Sequence, residues 1–325
     1  MVKRVLHYVD PLVRLLLGAI LLATILPVKG EARTIAQFIS NAAVFLLFLL
    51  NGLRLPRDEV IKGIGNLRFL APLVFWCFGA MALAGWGMAH LFTDALAGLM
   101  PPMVALGFLY LGTLPSTVQS ATAYSSIAGG NVASSVVAAA LLNIMGVFVT
   151  APLFSALAGS AGVGIDTDGL VKVGLVLLLP FAIGQIAQHR FGHLVKEHRH
   201  LATWMDRTSI AIAVYVAFSG AVEQGIWDRL GPSSWAGLVG GVCVLIAFAF
   251  GGSWVLGGIV GLSRGDRVAM LFSGGQKSIA MGAPLAAVLF PPEVAGIVLL
   301  PVLVYHLLQL VFSAPLASRL ARHAV

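Results

Sequence analysis

Phe272-Ser273-Gly274-Gly275-Gln276-Lys277-Ser278-Ile279-Ala280-Met281-Gly282-Ala283-Pro284 stands in the middle of a stretch that is apolar on both sides. The stretch reaches the roughly twenty residues that cross a bilayer. Near its midpoint it nevertheless carries paired glycines, an amide, hydroxyls and an ammonium. A Lys at the bilayer centre costs about 2.5 to 3.5 kcal/mol on insertion scales, and residues that carry such a cost face a cavity or a partner and mark a pathway. Glycines beside it weaken helix continuity. The pattern predicts that Gly274 to Ser278 form the unwound centre of a discontinuous helix, with freed backbone groups available to a ligand, as in the substrate and ion sites of secondary transporters. Ser273, Gly274, Gly275, Gln276, Lys277 and Ser278 are therefore candidate substrate or ion ligands.

The rest of the composition agrees with a chain that lives in lipid. Of 325 residues, 59% are hydrophobic and 10% are charged, against about 25% charged in a soluble protein, and the mean hydropathy is +0.96. The formal charge of +7 does not point to nucleic acid, because the basic residues sit in short segments between apolar spans and not along one face. Cys77 and Cys243 both fall within apolar spans and read as packing residues, so neither a disulfide framework nor a thiol-metal site is indicated. The basic, apolar N-terminus lacks a small-residue cleavage pattern and is read as the first helix.

Apolar runs bounded by charge or Gly/Pro punctuation place ten spans near 12–28, 34–53, 69–92, 102–127, 131–157, 169–187, 208–224, 234–261, 267–290 and 295–317. With both termini in the cytoplasm, 15 Lys and Arg lie inside and 4 outside, setting aside Lys277. That asymmetry orients the chain in a cell inner or plasma membrane. The spans divide into two sets of five, residues 1–160 and 161–325. Halves with an odd number of spans enter the membrane from opposite sides, so a repeat between them is inverted. The expected fold is thus an all-α membrane protein of ten helices in two inverted five-helix repeats. Its fourth and ninth spans are broken and cross. Span four supports the symmetry, because Pro115 removes a backbone donor and is followed by Ser116, Thr117, Gln119, Ser120, Thr122, Ser125 and Ser126.

Three partners are open to Lys277: a carboxylate, backbone carbonyls, or an anionic substrate. All 13 Asp and Glu fall in loops or near span ends, which nearly removes the first. Snorkelling to an interface is strained for a residue about ten positions from either end of its span. The polar series of span four could be helix glue residue by residue. Placed opposite Gln276, Lys277 and Ser278, it supplies the convergent polar groups of a small-molecule site. Ser135, opening span five after Asn131, points a hydroxyl inward, while Asn131 reads as a helix cap. His306, mid-span with Tyr305 and Gln309 beside it, is either a satisfied interior imidazole or a titrating group. His189, His193, His198 and His200 crowd a basic loop, 188–207, expected to be solvated and to face lipid headgroups. No nucleophile-base pair, paired carboxylates, HExxH spacing or cofactor motif is present, which argues against an enzyme. A secondary transporter of a small organic solute, an anion by the logic of a lone buried cation near half-helix N-termini, is the reading carried forward. A non-transporting regulatory membrane protein is the competing class.

The two polar breaks resemble those of the bile acid:sodium symporter family, solute carrier family ten, and more narrowly the subgroup of its seventh vertebrate member and bacterial relatives. The residues that carry the resemblance are Pro115-Ser116-Thr117-Val118-Gln119-Ser120-Ala121 with Tyr124, then Gly130-Asn131-Val132-Ala133-Ser134-Ser135, and Gly274-Gly275-Gln276-Lys277-Ser278, together with Leu50-Asn51-Gly52-Leu53-Arg54-Leu55. The resemblance covers essentially the whole chain. It implies a core domain of spans three to five and eight to ten, and a panel domain of spans one, two, six and seven, with substrate between them and ions behind the crossover. It also implies sodium ligands, which carry over here to Ala121, Thr122, Ser135, Ala139, Phe272 and Gln276. Sodium about 4 Å from the Lys277 ammonium would be repelled by roughly 4 kcal/mol at an effective dielectric of about 20. The expectation is therefore that Lys277 stands in as a tethered cation and that protons, exchange or the solute gradient drive transport, with sodium coupling as the alternative.

Overall fold

The computed structural model describes residues 10–54, 66–159 and 174–322, and among them every regular element is helical. In chain order, α1 is Pro11–Ile25 and α2 is Glu31–Arg54; α3, Leu67–Val74, runs through a π-helical stretch, Phe75–Ala80, into α4, Met81–His90. A second π stretch, Leu91–Ala95, precedes α5 at Pro102–Thr113, α6 at Gln119–Ile127 and α7 at Val132–Ala158. A third, Gly174–Leu178, opens α8 at Leu179–Glu197, followed by α9, Arg199–Glu223, and the short α10, Ile226–Arg229. Then come α11, Pro232–Ile259; α12, Arg264–Gly275; α13, Ile279–Leu289; and α14, Pro292–Arg322.

Local chemistry sets several of these boundaries. Asp10 caps α1 by accepting the Leu12 amide at 2.7 Å, with Pro11 at the first helical position where a missing N–H costs nothing. Asn131 is a helix cap, accepting from Ser134 N at 3.1 Å. Ser263 caps α12 by accepting from Asp266 N at 3.2 Å and returns its own hydroxyl proton to the Asp266 carboxylate at 2.9 Å.

Among the described residues, five helical stretches are long and apolar enough to cross a membrane: Glu31–Arg54, Leu67–Ala95, Val132–Ala158, Pro232–Ile259 and Pro292–Arg322. Large apolar side chains stand exposed along them and their neighbours, Phe38 at 75%, Ile186 at 76% and Ile259 at 76%. Apolar surface on that scale belongs against lipid, and the chain is a multi-pass membrane protein. The region 188–207, expected as a loop, is helix on both sides of His198. Polarity suggested a loop there, but Gln, Arg, Leu, Lys and Glu are good helix formers, so α8 and α9 extend past the apolar stretch that marked them.

The chain forms two compact units. The first comprises Met1–Leu55, Ile165–Arg229 and Ala283–Ile297; the second, Pro56–Gly164, Leu230–Gly282 and Val298–Val325. In the first unit α8 packs along α2, and α9 packs against α1 and α2. Gly52 and Gly184 let α2 and α8 touch backbone to backbone: a Cβ on Gly52 would lie 2.4 Å from the Phe181 carbonyl oxygen, and one on Gly184 2.3 Å from that of Leu49. Ion pairs tie its ends, Arg33 to Glu223 at 2.8 Å and to Glu293 at 3.0 Å, and Arg54 to Asp206.

In the second unit α4 packs on α5, α11 on α12, and α12 also meets α6 and α7. Its core includes Phe69, Leu70, Leu73, Cys77, Phe78, Ala138, Leu142, Ala269 and Met270. Cys77 is buried there as a free thiol, as expected of a packing residue.

Candidate functional site

Two helix interruptions meet inside the second unit. α5 ends because Leu114 takes an extended conformation, φ −71° and ψ 147°, the geometry imposed on a residue that precedes proline. α6 begins five residues after Leu114, at Gln119. α12 ends at Gly275, Gln276 is extended at φ −100° and ψ 146°, and α13 resumes at Ile279. The two interruptions touch through their backbones: the Ser278 amide donates to the Pro115 carbonyl at 2.9 Å.

Lys277 turns from this junction toward the end of α5. Its ammonium donates to the carbonyl oxygens of Leu114 at 2.7 Å, Gly112 at 2.9 Å and Cys77 at 3.1 Å. Two of these carbonyls are at the helix end, where no amide follows to satisfy them. The third belongs to the π stretch. The residue is 1% exposed, so it does not snorkel, and no carboxylate is among its hydrogen-bond partners. Of the partners open to it from sequence, the protein's own carbonyls fill all three N–H positions.

The unwound residues are held from the other side by a polar stripe on α14. Tyr305 donates its hydroxyl to Gly275 O at 2.6 Å. Gln309 accepts the Lys277 amide at 2.8 Å and donates to the Lys277 carbonyl at 3.1 Å. Ser313 accepts from Gln276 Nε2 at 3.0 Å, and Gln276 Oε1 accepts the Ser120 hydroxyl. Each of the three α14 residues is fully buried. His306 Nδ1 is 2.9 Å from Gln309 Nε2, which makes it a satisfied interior imidazole. Because a backbone amide can only donate, Gln309 Oε1 must face Lys277 N; its Nε2 then faces His306, and Nδ1 is the acceptor.

A second polar group lies alongside. Ser135 stands between Ser125 and Ser273, at 3.3 Å from each hydroxyl, and all three are fully buried. Asn143 Nδ2 donates to Ser116 O and Ala139 O, both at 2.8 Å, and Tyr110 donates to Gly282 O at 2.7 Å. The backbone on either side of both interruptions is thus widely satisfied by named side chains, as burial demands.

The glycines behave differently from expectation. Gly274 and Gly275 belong to the last turn of α12 and neither has positive φ; the unwound stretch is Gln276 to Ser278. A Cβ on Gly275 would lie 2.8 Å from the Phe250 ring, and one on Gly274 2.9 Å from both Ser253 and Trp76. These glycines are there for close packing. Among the other predicted residues, Gln276, Lys277, Ser278, Pro115 and Ser120 come together directly. Ser116 is buried, with its hydroxyl 3.4 Å from Thr117 O. Thr117 is half-buried and Gln119 is exposed, so Gln119 does not join the junction. The Thr122 hydroxyl is buried without a partner.

Sequence reading passed over Gln309, Tyr305 and Ser313 as ligands. Their signal was present as a four-residue polar spacing on one face of an apolar span. The Cys77 carbonyl had none, since every residue carries one. Of the positions that the resemblance assigns to sodium, Ala121, Ala139 and Phe272 offer no side-chain oxygen, Thr122 and Ser135 keep a hydroxyl, and Gln276 is engaged at both ends.

The model of the SBF-like CPA transporter family matches residues 10–322. The chain is 37% identical to the uncharacterized Pseudomonas aeruginosa protein PA2026, over 94% of this chain and 91% of that one. It is 34% identical to the Escherichia coli putative symporter YfeH, over 96% and 93%. Mouse sodium/bile acid cotransporter 7 is 23% identical over 86% of this chain and 82% of its own length. The chain belongs to the SBF-like CPA transporter family, of the bile acid:sodium symporter kind, and is a membrane transporter and not an enzyme.

Proposed function

We propose that the protein is a secondary transporter of a small organic anion that works without sodium, with the Lys277 ammonium as a permanently attached substitute for a coupling cation. One observation carries this reading. A buried ammonium spends its three donors on the Leu114, Gly112 and Cys77 carbonyls, the type of oxygen cluster that suits a hard monovalent cation. With that charge covalently held, no second cation is needed there, and one would be repelled. An anionic solute is favoured by field and not by direct contact, because the positive charge has no carboxylate partner.

In this proposal a core domain of spans three to five and eight to ten and a panel domain of spans one, two, six and seven move to expose the solute to alternate sides. Ser116, Thr117, Gln119, Ser120 and Thr122 lie on the solute's side of the junction, and Gln119, exposed, makes its first contact. Both termini are cytoplasmic, in keeping with the distribution of Lys and Arg.

The names of relatives, sodium/bile acid cotransporter 7 and the Arabidopsis probable sodium/metabolite cotransporter BASS4, favour a second reading, sodium-coupled symport. Thermal unfolding of the purified protein in matched sodium, potassium and choline chloride separates the two. The tethered-cation reading expects the same midpoint in all three for the native chain, and a sodium-raised midpoint in Lys277→Met, where three carbonyls are released. A midpoint raised by sodium in the native chain would sink it and support symport.

A further inference from the structure

We infer that Gln309 is the positioning residue for the Lys277 ammonium: it splints the unwound peptide so that the side chain reaches its three carbonyls. This rests on the reading of Lys277 as the site's cation. Where α12 stops, the Lys277 peptide unit loses both of its helical hydrogen bonds in a fully buried place. Gln309 replaces both, taking the amide at 2.8 Å and giving to the carbonyl at 3.1 Å. Of the twenty side chains, few can do this from one position; it takes a donor and an acceptor in one plane at the end of two methylenes, which is a carboxamide.

The amide cannot flip without loss. Reversed, it would set a donor against the Lys277 N–H and an acceptor against the Lys277 carbonyl. His306 adds a second constraint, because its Nδ1 accepts from the same Nε2. The neighbouring contacts fix the segment above and below: Tyr305 on Gly275 O and Ser313 on the Gln276 side chain. Those two bracket the break, but neither touches residue 277. Only Gln309 among the α14 stripe holds the residue whose side chain crosses to α5. The position of the Lys277 Cα, and with it the reach of its ammonium, is therefore set by Gln309.

A residue with this role differs from a generic core amide in what its loss releases. Without the splint, Lys277 leaves the carbonyls, and a monovalent cation can take its place although the lysine is still in the chain. The experiment uses the full-length protein in nanodiscs, with Gln309→Met (same length, no hydrogen bonds), Gln309→Glu (same shape, amide acceptor kept), Lys277→Met and Ser318→Ala, a change on the same helix away from the junction. Two quantities are read: amide hydrogen exchange across 274–280 by mass spectrometry, and the thermal midpoint in sodium against choline chloride.

Gln309→Met should speed exchange at the Lys277 and Ser278 amides by about tenfold, the equivalent of one buried hydrogen bond, and its midpoint should become sodium-dependent. Gln309→Glu should recover most of the exchange protection, and Ser318→Ala should change neither quantity. Unchanged exchange in Gln309→Met overturns the inference, as does a midpoint that falls equally in both salts when Lys277→Met responds to sodium. A sodium response missing from Lys277→Met itself is a failure of the tethered-cation reading, and the exchange result with its recovery in Gln309→Glu then decides Gln309 alone. If Gln309→Met does not fold, Gln309→Asn, whose amide is one methylene too short to reach both atoms of the Lys277 peptide, carries the test through the same exchange and sodium readouts.

Discussion

Lys277 illustrates how a charge is tolerated in a buried place. Three backbone carbonyls replace the water an ammonium loses, and they are aimed by a helix end and a π stretch that cannot rotate away. A different solution holds Asp206 in the first unit, beyond the apolar part of α9. Its carboxylate pairs with Arg54, yet burial pushes the carboxyl above its ordinary range by more than Arg54 pulls it down. A carboxyl raised in the folded state binds more protons folded than unfolded. Its contribution to stability is therefore present at acid pH and is lost as pH rises from the ordinary carboxylate range through the raised value. Asp206→Asn should flatten that part of the stability-pH curve. A slope that persists unchanged in thermal unfolding followed upward from the ordinary carboxylate range would assign it to other groups.

At the scale of elements, the interruptions arise from two different causes. Pro115 stops α5 through the conformation it imposes on Leu114, a local effect that any sequence reading can find. α12 stops where three side chains from α14 and the Pro115 carbonyl out-compete its own hydrogen bonds, which is a tertiary effect. Gly275 tests this distinction. If it served as a helix breaker, Gly275→Ala would raise helix stability by about 1 kcal/mol. The 2.8 Å approach to Phe250 instead predicts a loss of about 1 to 3 kcal/mol from overpacking. Gly275→Ala combined with Phe250→Ala should then be less unstable than the sum of the two single changes. Additive losses in chemical denaturation would argue against the packing role.

At the scale of the molecule, the chain belongs to each compact unit three times. It passes from one unit to the other inside α13 and again inside α14. The proposed topology makes a direct prediction. Reporter fusions to the N-terminus and the C-terminus should both report from the cytoplasm. Fusions reporting opposite sides would remove the even span number and with it the two inverted halves.

The sequence alone determined that this is a lipid-embedded helical chain, because 59% hydrophobic residues in runs of helical length leave no other way to satisfy the backbone. It also singled out a Pro amid hydroxyls and a Lys amid apolar residues as local departures from that pattern. The tertiary structure decided what the Lys277 charge rests on. Its partners are main-chain oxygens, which every residue possesses, and their convergence depends on a π turn at Cys77 and a helix end at Gly112 and Leu114 that no residue type announces. The same holds for Gln309: its spacing from Tyr305 and Ser313 was visible, but which peptide it would grip followed only from the packing of α14 against the break.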